Sequence, residues 1–262
     1  MKRMKRMKRI NRCWRIAGTG LSFLAFGIVG LLMGLVFFPL MNLFVKERES
    51  RASVARQIIR VMFYTFIGFM RRLGVLRYEI IGLERLQRQG LLILANHPTL
   101  LDTVFLMAFI RDADCVVKSL LWDNPFIRGS ARAAGYIRND TGTGLLSDGI
   151  ASLQRGSNLI IFPEGTRTDG PIIFKRGAAN IAIRCRSNVT PVVIHCLPPT
   201  LGKGKKWWQV PPDVAHFTIE IKEDIDVRAF VVAAGNDTLA ARHLTAHLQN
   251  YFRKESQSDG AA

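Results

Sequence analysis

The chain reads as an α/β protein with a largely parallel sheet flanked by helices, preceded by an N-terminal hydrophobic, membrane-associated helical segment. Three observations carry that reading. From Leu76 onward, short apolar runs alternate with helical patterns, as in strands joined by crossover helices. Ahead of them lie thirty residues, Ile16 to Val45, without a single charge. Two of the apolar runs, some sixty residues apart, end in polar clusters at Asn96-His97 and Pro163-Glu164, where strands of such sheets usually deliver their functional side chains.

The elements follow in order. Residues 1–15 form a polybasic N-terminus with eight Lys or Arg and no acid. The uncharged stretch that follows exceeds the roughly twenty residues needed to cross a hydrocarbon core. Met41-Asn42-Leu43-Phe44-Val45 provides no small-residue cleavage site, so an uncleaved anchor is expected rather than a signal peptide. Its basic flank would stay on the cytoplasmic side, drawn to anionic headgroups. Val54 to Leu73 has Arg56, Arg60, Arg71 and Arg72 flanking Ile58, Ile59, Met62, Phe63, Phe66 and Phe69, the composition of an amphipathic interfacial helix. Residues 16–75 are therefore assigned to membrane attachment and 76–254 to one α/β domain.

Within that domain the strands expected are Leu76 to Ile81, Leu91 to Ala95, Cys115 to Val117, Leu159 to Phe162, Val189 to Ile194 and Phe217 to Ile221. Helices are expected at Thr99 to Ile110, Leu145 to Gln154, Arg176 to Cys185 and Asp237 to Phe252. Leu197 to Pro212, rich in Pro and Gly, is expected to be a loop. Its Lys203, Lys205, Lys206, Trp207 and Trp208 suit a membrane interface, while single-stranded nucleic acid would be the competing partner. Residues 255–262 are expected to be a disordered tail.

Composition bounds the function. With 262 residues, 48% of them apolar, a mean hydropathy of +0.14 and a pI near 10.5, the chain fits one ordinary domain plus an extra segment. Eight of the +17 formal charges lie in the first fifteen residues, so the remainder is basic as well. Such charge suits nucleic acid or anionic lipid, and the adjoining apolar segment favours lipid. Cys13, Cys115, Cys185 and Cys196 have neither metal-like nor disulfide-framework spacing and read as reduced, mostly core thiols in a cytosolic setting. No metal or cofactor is called for, because the acids and histidines form no ligand constellation.

The chemistry lies in the two polar clusters. His97 and Asp102 are five apart, roughly 140° around a helix axis. Both could face one substrate only if His97 lay in the loop, with Pro98 in the first helical turn and Asp102 one turn inside the helix. An Asp accepting from one ring nitrogen would set the tautomer and leave the other nitrogen as a base. No Ser or Cys in these motifs offers itself as a nucleophile, so the base would act on a group brought by the substrate, such as an alcohol. A surface His beside a helix-capping Asp meets the same spacing.

Four blocks in order, over roughly residues 80 to 200, resemble the glycerolipid acyltransferase family of the 1-acylglycerol-3-phosphate acyltransferase type. They are Asn96-His97-x4-Asp102, the looser Gly135-Tyr136-Ile137-Arg138, Phe162-Pro163-Glu164-Gly165-Thr166-Arg167, and Pro191 within Val189 to Ile194. Phe174-Lys175-Arg176-Gly177-Ala178 adds a further family-like segment. The resemblance implies transfer of an acyl group from an acyl carrier protein or coenzyme A thioester to the hydroxyl of a lysophospholipid, 1-acylglycerol 3-phosphate foremost. His97 would be the general base and Asp102 its orienting partner. Substrate binding would fall to Glu164, Gly165, Thr166 and Arg167, with Lys118 and Arg138 as further cations for a phosphate. Another acceptor, such as a lyso-ornithine lipid, and a non-catalytic basic lipid- or nucleic-acid-binding protein are the alternatives.

The implied location is the inner, cytoplasmic membrane with the catalytic domain on the cytoplasmic face. A single crossing would carry that domain away from cytosolic thioesters, so the chain must return. One route is a re-entrant or bent hairpin within Ile16 to Val45, where Gly18, Gly20, Gly27, Gly30, Gly34 and Pro39 lie. The other is a return crossing by Ile58 to Met70, for which the ten residues between Arg60 and Arg71 are short.

Overall fold

The computed structural model describes residues 2–118, 122, 124–139, 142–168 and 170–258, with the backbone alone at 2–9, 118, 139, 142–143 and 258. Helix α1 (Lys2–Leu32) passes through one π-helical turn (Met33–Phe37) into α2 (Phe38–Phe44) without reversing direction. The chain turns at residues 45–47 and returns as α3 (Arg48–Arg72). The hairpin is thus made between α2 and α3, not inside the uncharged segment.

Next come β1 (Leu76–Ile81), β2 (Leu92–Ala95), α4 (Asp102–Phe109), β3 (Ala113–Lys118), α5 (Pro125–Ala133), β4 (Ile137–Asn139) and α6 (Gly142–Gln154). They are followed by β5 (Asn158–Ile161), α7 (Gly177–Cys185), β6 (Val189–Leu197), β7 (Ala215–Ile221), α8 (Arg228–Ala234) and α9 (Asp237–Ser258). Helix α9 continues past residue 254 to Ser258, and residues 259–262 lie outside the described residues.

The sheet order is β1-β7-β6-β2-β5-β3-β4. Strands β2 to β6 run parallel, β7 is antiparallel to β6, and β1 is parallel to β7. All four residues of β2 and all four of β5 are buried. Strands covered by helices on both faces need such unbroken apolar runs. One face is covered by α3 and α4, where Phe105 and Phe217 are fully buried and their rings lie 4.9 Å apart. On the other, α7 and α9 bring Ile181, Leu244, Leu248 and Phe252 onto the sheet.

Helix α3 is a core helix over much of its length. Ile59, Phe66, Ile67 and Met70 are buried, and Arg56 is drawn inward instead of flanking a lipid face. Its guanidinium donates to Asp114 at 3.1 Å, Asp112 at 3.3 Å, the Ser157 hydroxyl at 3.0 Å and the Ala134 carbonyl at 3.0 Å.

Helix α1 lies along this assembly. The Trp14 indole N–H donates to the Leu73 carbonyl at 2.9 Å, and Phe26 packs on Phe63 and Phe66. Arg12 and Arg15 donate to the carbonyls of Val210, Pro211 and Pro212. Twenty residues further on, Gly34 meets Gly129 of α5 so closely that a Cβ on Gly129 would collide with the Gly34 backbone. Leu21, Leu24, Ile28, Leu32 and Leu35 are all at least half exposed, at the three- and four-residue steps of a single helical stripe. Ile10–Phe44 is one helix long and apolar enough to cross a membrane, with the domain packed against it near both ends.

Candidate active site

The end of β2 is pinned from below. The Asn96 side-chain amide donates to the Ile194 carbonyl at 2.8 Å and its oxygen accepts the Ile194 N–H at 2.7 Å. The chain then leaves the sheet with His97 in the loop, as its spacing predicted. Helix α4, however, starts at Asp102, so Pro98 is in no helical turn and Asp102 is not one turn inside. The reason is local: Thr99 donates its backbone N–H and its hydroxyl to the two oxygens of Asp102, at 2.7 and 2.5 Å. The side chain takes the place of a helical hydrogen bond and holds residues 98–101 as a turn.

His97 Nδ1 lies 2.8 Å from Asp102 Oδ2. Asp102 is wholly buried, and burial pushes its carboxyl upward while the bonds from His97 and Thr99 favour the carboxylate. With Nδ1–H donated to Asp102, Nε2 carries the lone pair, and the imidazole side chain is 16% exposed. The ring stacks on Phe162 at 4.2 Å between centroids, 25° from parallel. Orientation of the imidazole is thus set by a bond at one edge and an aromatic plane against its face.

The second cluster leaves β5 beside the first. Glu164 Oε1 accepts the His97 backbone N–H at 2.9 Å, and Oε2 is buried without a hydrogen-bond partner among the described residues. Burial, aided by the charge of Asp102, pushes the Glu164 carboxyl up to about 7 against the pull of that N–H. Glu164 is therefore a support of the His97 loop, buried beneath it. Gly165 makes the turn with φ of +69°, a backbone region that a Cβ disfavours. After Thr166, which is half-buried, the Thr168 N–H returns to the His97 carbonyl at 3.0 Å. Arg167 Nη1 donates to the Leu201 and Gly202 carbonyls at 3.0 and 3.1 Å, while its Nε and Nη2 groups have no partner among the described residues. A cavity of about 390 Å³ opens here, lined by Pro98, Thr99, Thr168, Cys196 and Lys205 among others.

Of the residues expected at the site, His97, Asp102, Glu164, Gly165, Thr166 and Arg167 come together at the ends of β2 and β5. Lys118 ends β3, and its side chain lies outside the described residues. Arg138 is exposed on edge strand β4, in register with Val117 and three strands from β2. Thr99 and Phe162 were not singled out from the sequence. Thr99-x-x-Asp102 has the form of a capping box and could have flagged the former; nothing local marks Phe162 as a face for the imidazole. Among the described residues, no three His, Cys, Asp or Glu gather as a metal site.

Residues 77–195, which include both clusters, match the family model described as Acyltransferase. The 1-acyl-sn-glycerol-3-phosphate acyltransferase of Pseudomonas aeruginosa is 29% identical over 134 residues, 48% of this chain and 52% of that protein. The protein of the same name from Helicobacter pylori is 34% identical over 119 residues, 39% and 47% of the two chains. The chain thus spans about half the length of these curated relatives. The crystal structure of the 1-acyl-sn-glycerophosphate (LPA) acyltransferase from Thermotoga maritima superposes with a TM-score of 0.68 at 19% identity, covering 93% of this chain and 98% of that one. At that identity the likeness is one of fold.

Proposed function

We propose, from the match of residues 77–195 to the acyltransferase family model, that the chain transfers a fatty acyl group from an acyl thioester to the free hydroxyl of 1-acylglycerol 3-phosphate, forming phosphatidic acid. The observation that carries the reading is the His97–Asp102 pair at 2.8 Å, with the second ring nitrogen left as a base. Nε2 takes the proton of the acceptor hydroxyl as its oxygen bonds to the thioester carbonyl carbon. Asp102 stabilises the imidazolium that forms. Collapse of the tetrahedral intermediate breaks the carbon–sulfur bond, and the departing thiolate takes the proton from His97. The donor is a coenzyme A or acyl carrier protein thioester; either supplies this leaving group.

The acceptor's phosphate falls to Arg167. Its Nη1 is held by two loop carbonyls, which orients the remaining N–H groups, and a guanidinium suits a phosphate bidentately. Membrane attachment follows from the exposed apolar stripe of α1. A crossing helix leaves the bilayer on opposite sides, whereas here the domain meets α1 at Arg12, Arg15 and Gly20 and again at Gly34. Supported in this way, α1 lies in the plane of one leaflet with Trp207 and Trp208 at the interface, and the domain stays on the cytoplasmic side.

The test is acyl transfer from a labelled acyl thioester to lysophosphatidic acid, with wild type and His97→Ala compared as folded, membrane-associated proteins. Phosphatidic acid from wild type alone is the expected result. Equal product from both would remove His97 as base. No product from either would move the acceptor to another lysolipid.

A further inference from the structure

At the end of the sheet where the parallel strands begin, α2, α3 and α5 enclose a cleft of about 330 Å³. It adjoins Gly135, just ahead of β4, whereas His97 follows the far end of β2. A six-residue strand such as β3 separates the two ends by about 20 Å. Arg48, Arg51 and Arg132 line the cleft together with Asn42, and its lining includes no acidic residue. None of the three guanidiniums has an ion pair or hydrogen bond among the described residues. An adjoining cavity does have Glu49 and Asp112 in its wall, but Asp112 is already paired with Arg56.

Three like charges in one cleft repel each other, and Arg48 and Arg51 sit three apart on one helix, where like charges are unfavourable. An anion that accepts from several guanidiniums at once reverses the sign of that contribution. Helix α2, one wall of the cleft, indicates what carries the anion. Outside the cleft lining it presents Leu40, Leu43 and Phe44, 51, 70 and 83% exposed. With these side chains in the apolar phase of a membrane, the cleft sits at headgroup depth.

We propose that Arg48, Arg51 and Arg132 form a binding site for the headgroup phosphate of an anionic glycerophospholipid, separate from the acyl-transfer site and holding the α2–α3 turn at the membrane surface. Its distance from His97 sets it apart from the acceptor and the thioester, so it stands or falls independently of the acyl-transfer reading.

The experiment is native mass spectrometry of the full chain in detergent, offered equal amounts of phosphatidylglycerol and phosphatidylcholine with identical acyl chains. Wild type should retain phosphatidylglycerol in about tenfold preference, and each arginine removed should lower that preference about threefold. Arg51→Gln/Arg132→Gln is therefore expected to hold the two lipids alike, while His97→Ala keeps the preference. Equal retention by wild type, or a preference unchanged in the double variant, would overturn the site. So would displacement by millimolar inorganic phosphate, which would make the ligand a free anion. If the double change unfolds the chain, Arg132→Gln alone, at an exposed position, carries the same expectation for one arginine.

Discussion

Asp102 and Asp114 are both wholly buried, one at each end of the sheet, and each is kept there by partners of a different kind. Asp114 accepts from Arg56 at 3.1 Å, from the Ser152 hydroxyl at 2.9 Å and from the Cys115 N–H at 3.0 Å. Burial pushes its carboxyl up, and Arg56 leads the groups that pull it down. The cation it faces is permanent, so the pair carries no proton traffic and ties α3 to the start of β3. Asp102 faces an imidazole whose side chain is 16% exposed. Burial alone does not mark a functional acid; the partly exposed imidazole partner does.

The sharpest way to break that contrast is Asp102→Asn. An amide leaves the packing nearly intact but no longer favours the Nδ1–H tautomer or stabilises the imidazolium, so turnover should fall by about 10²- to 10⁴-fold with little change in melting temperature. Turnover near wild type in the acyl-transfer assay would make Asp102 a structural cap. Asp114→Asn should do the reverse, costing about 2–3 kcal/mol of stability by leaving buried Arg56 with only the partly exposed Asp112 as a charge partner. Denaturant unfolding checks this, and the folded fraction should keep its turnover. A loss of activity per folded molecule would join the two ends of the sheet functionally.

Smaller effects sharpen the comparison at the catalytic end. Arg167→Ala removes the donor to Leu201 and Gly202 and, with it, the cation proposed for the acceptor. The acceptor's KM should rise about tenfold with kcat less affected, as for a binding interaction; an unchanged KM would move the phosphate to another cation. Glu164→Gln tests a third buried acid. Its carboxyl is pushed up to about 7 from an ordinary 4.5, so in that window the folded protein holds a proton the unfolded chain has released. Stability must then decline as pH rises through the window and stay level below it. Melts at pH 5 and pH 7 should show that decline in wild type and a shallower one in the variant. Parallel declines would assign it to other groups.

The elements legible in advance are those whose signal is local. Strand β1 lies at the expected Leu76–Ile81, and β2 and β5 are apolar runs that a buried parallel strand requires. Strand β4 was not read as a strand: its three residues are too few for a periodic signal and are ordered by pairing with β3. Helix α5 was missed as well. Its sequence holds Gly129 and Ser130, and it depends on the Asn124 cap, Pro125 in the first turn and the close seat on Gly34. Arg56 was read as a flanking cation because nothing near it in sequence announces Asp114, 58 residues on.

By itself the sequence determined the alternation of strands and helices, the apolar N-terminal segment, and the residue types of the site with the His97–Asp102 spacing. These rest on period and on neighbours a few residues apart, which side-chain chemistry dictates directly. Only the tertiary structure decided that α1 lies along the domain, that Arg167 grips a loop 34 residues away, that Glu164 is buried beneath the His97 loop, and that three arginines without a partner among the described residues share one cleft. Burial, local dielectric and the meeting of distant charges are properties of the folded volume, and they set which of several identical side chains binds, supports or reacts.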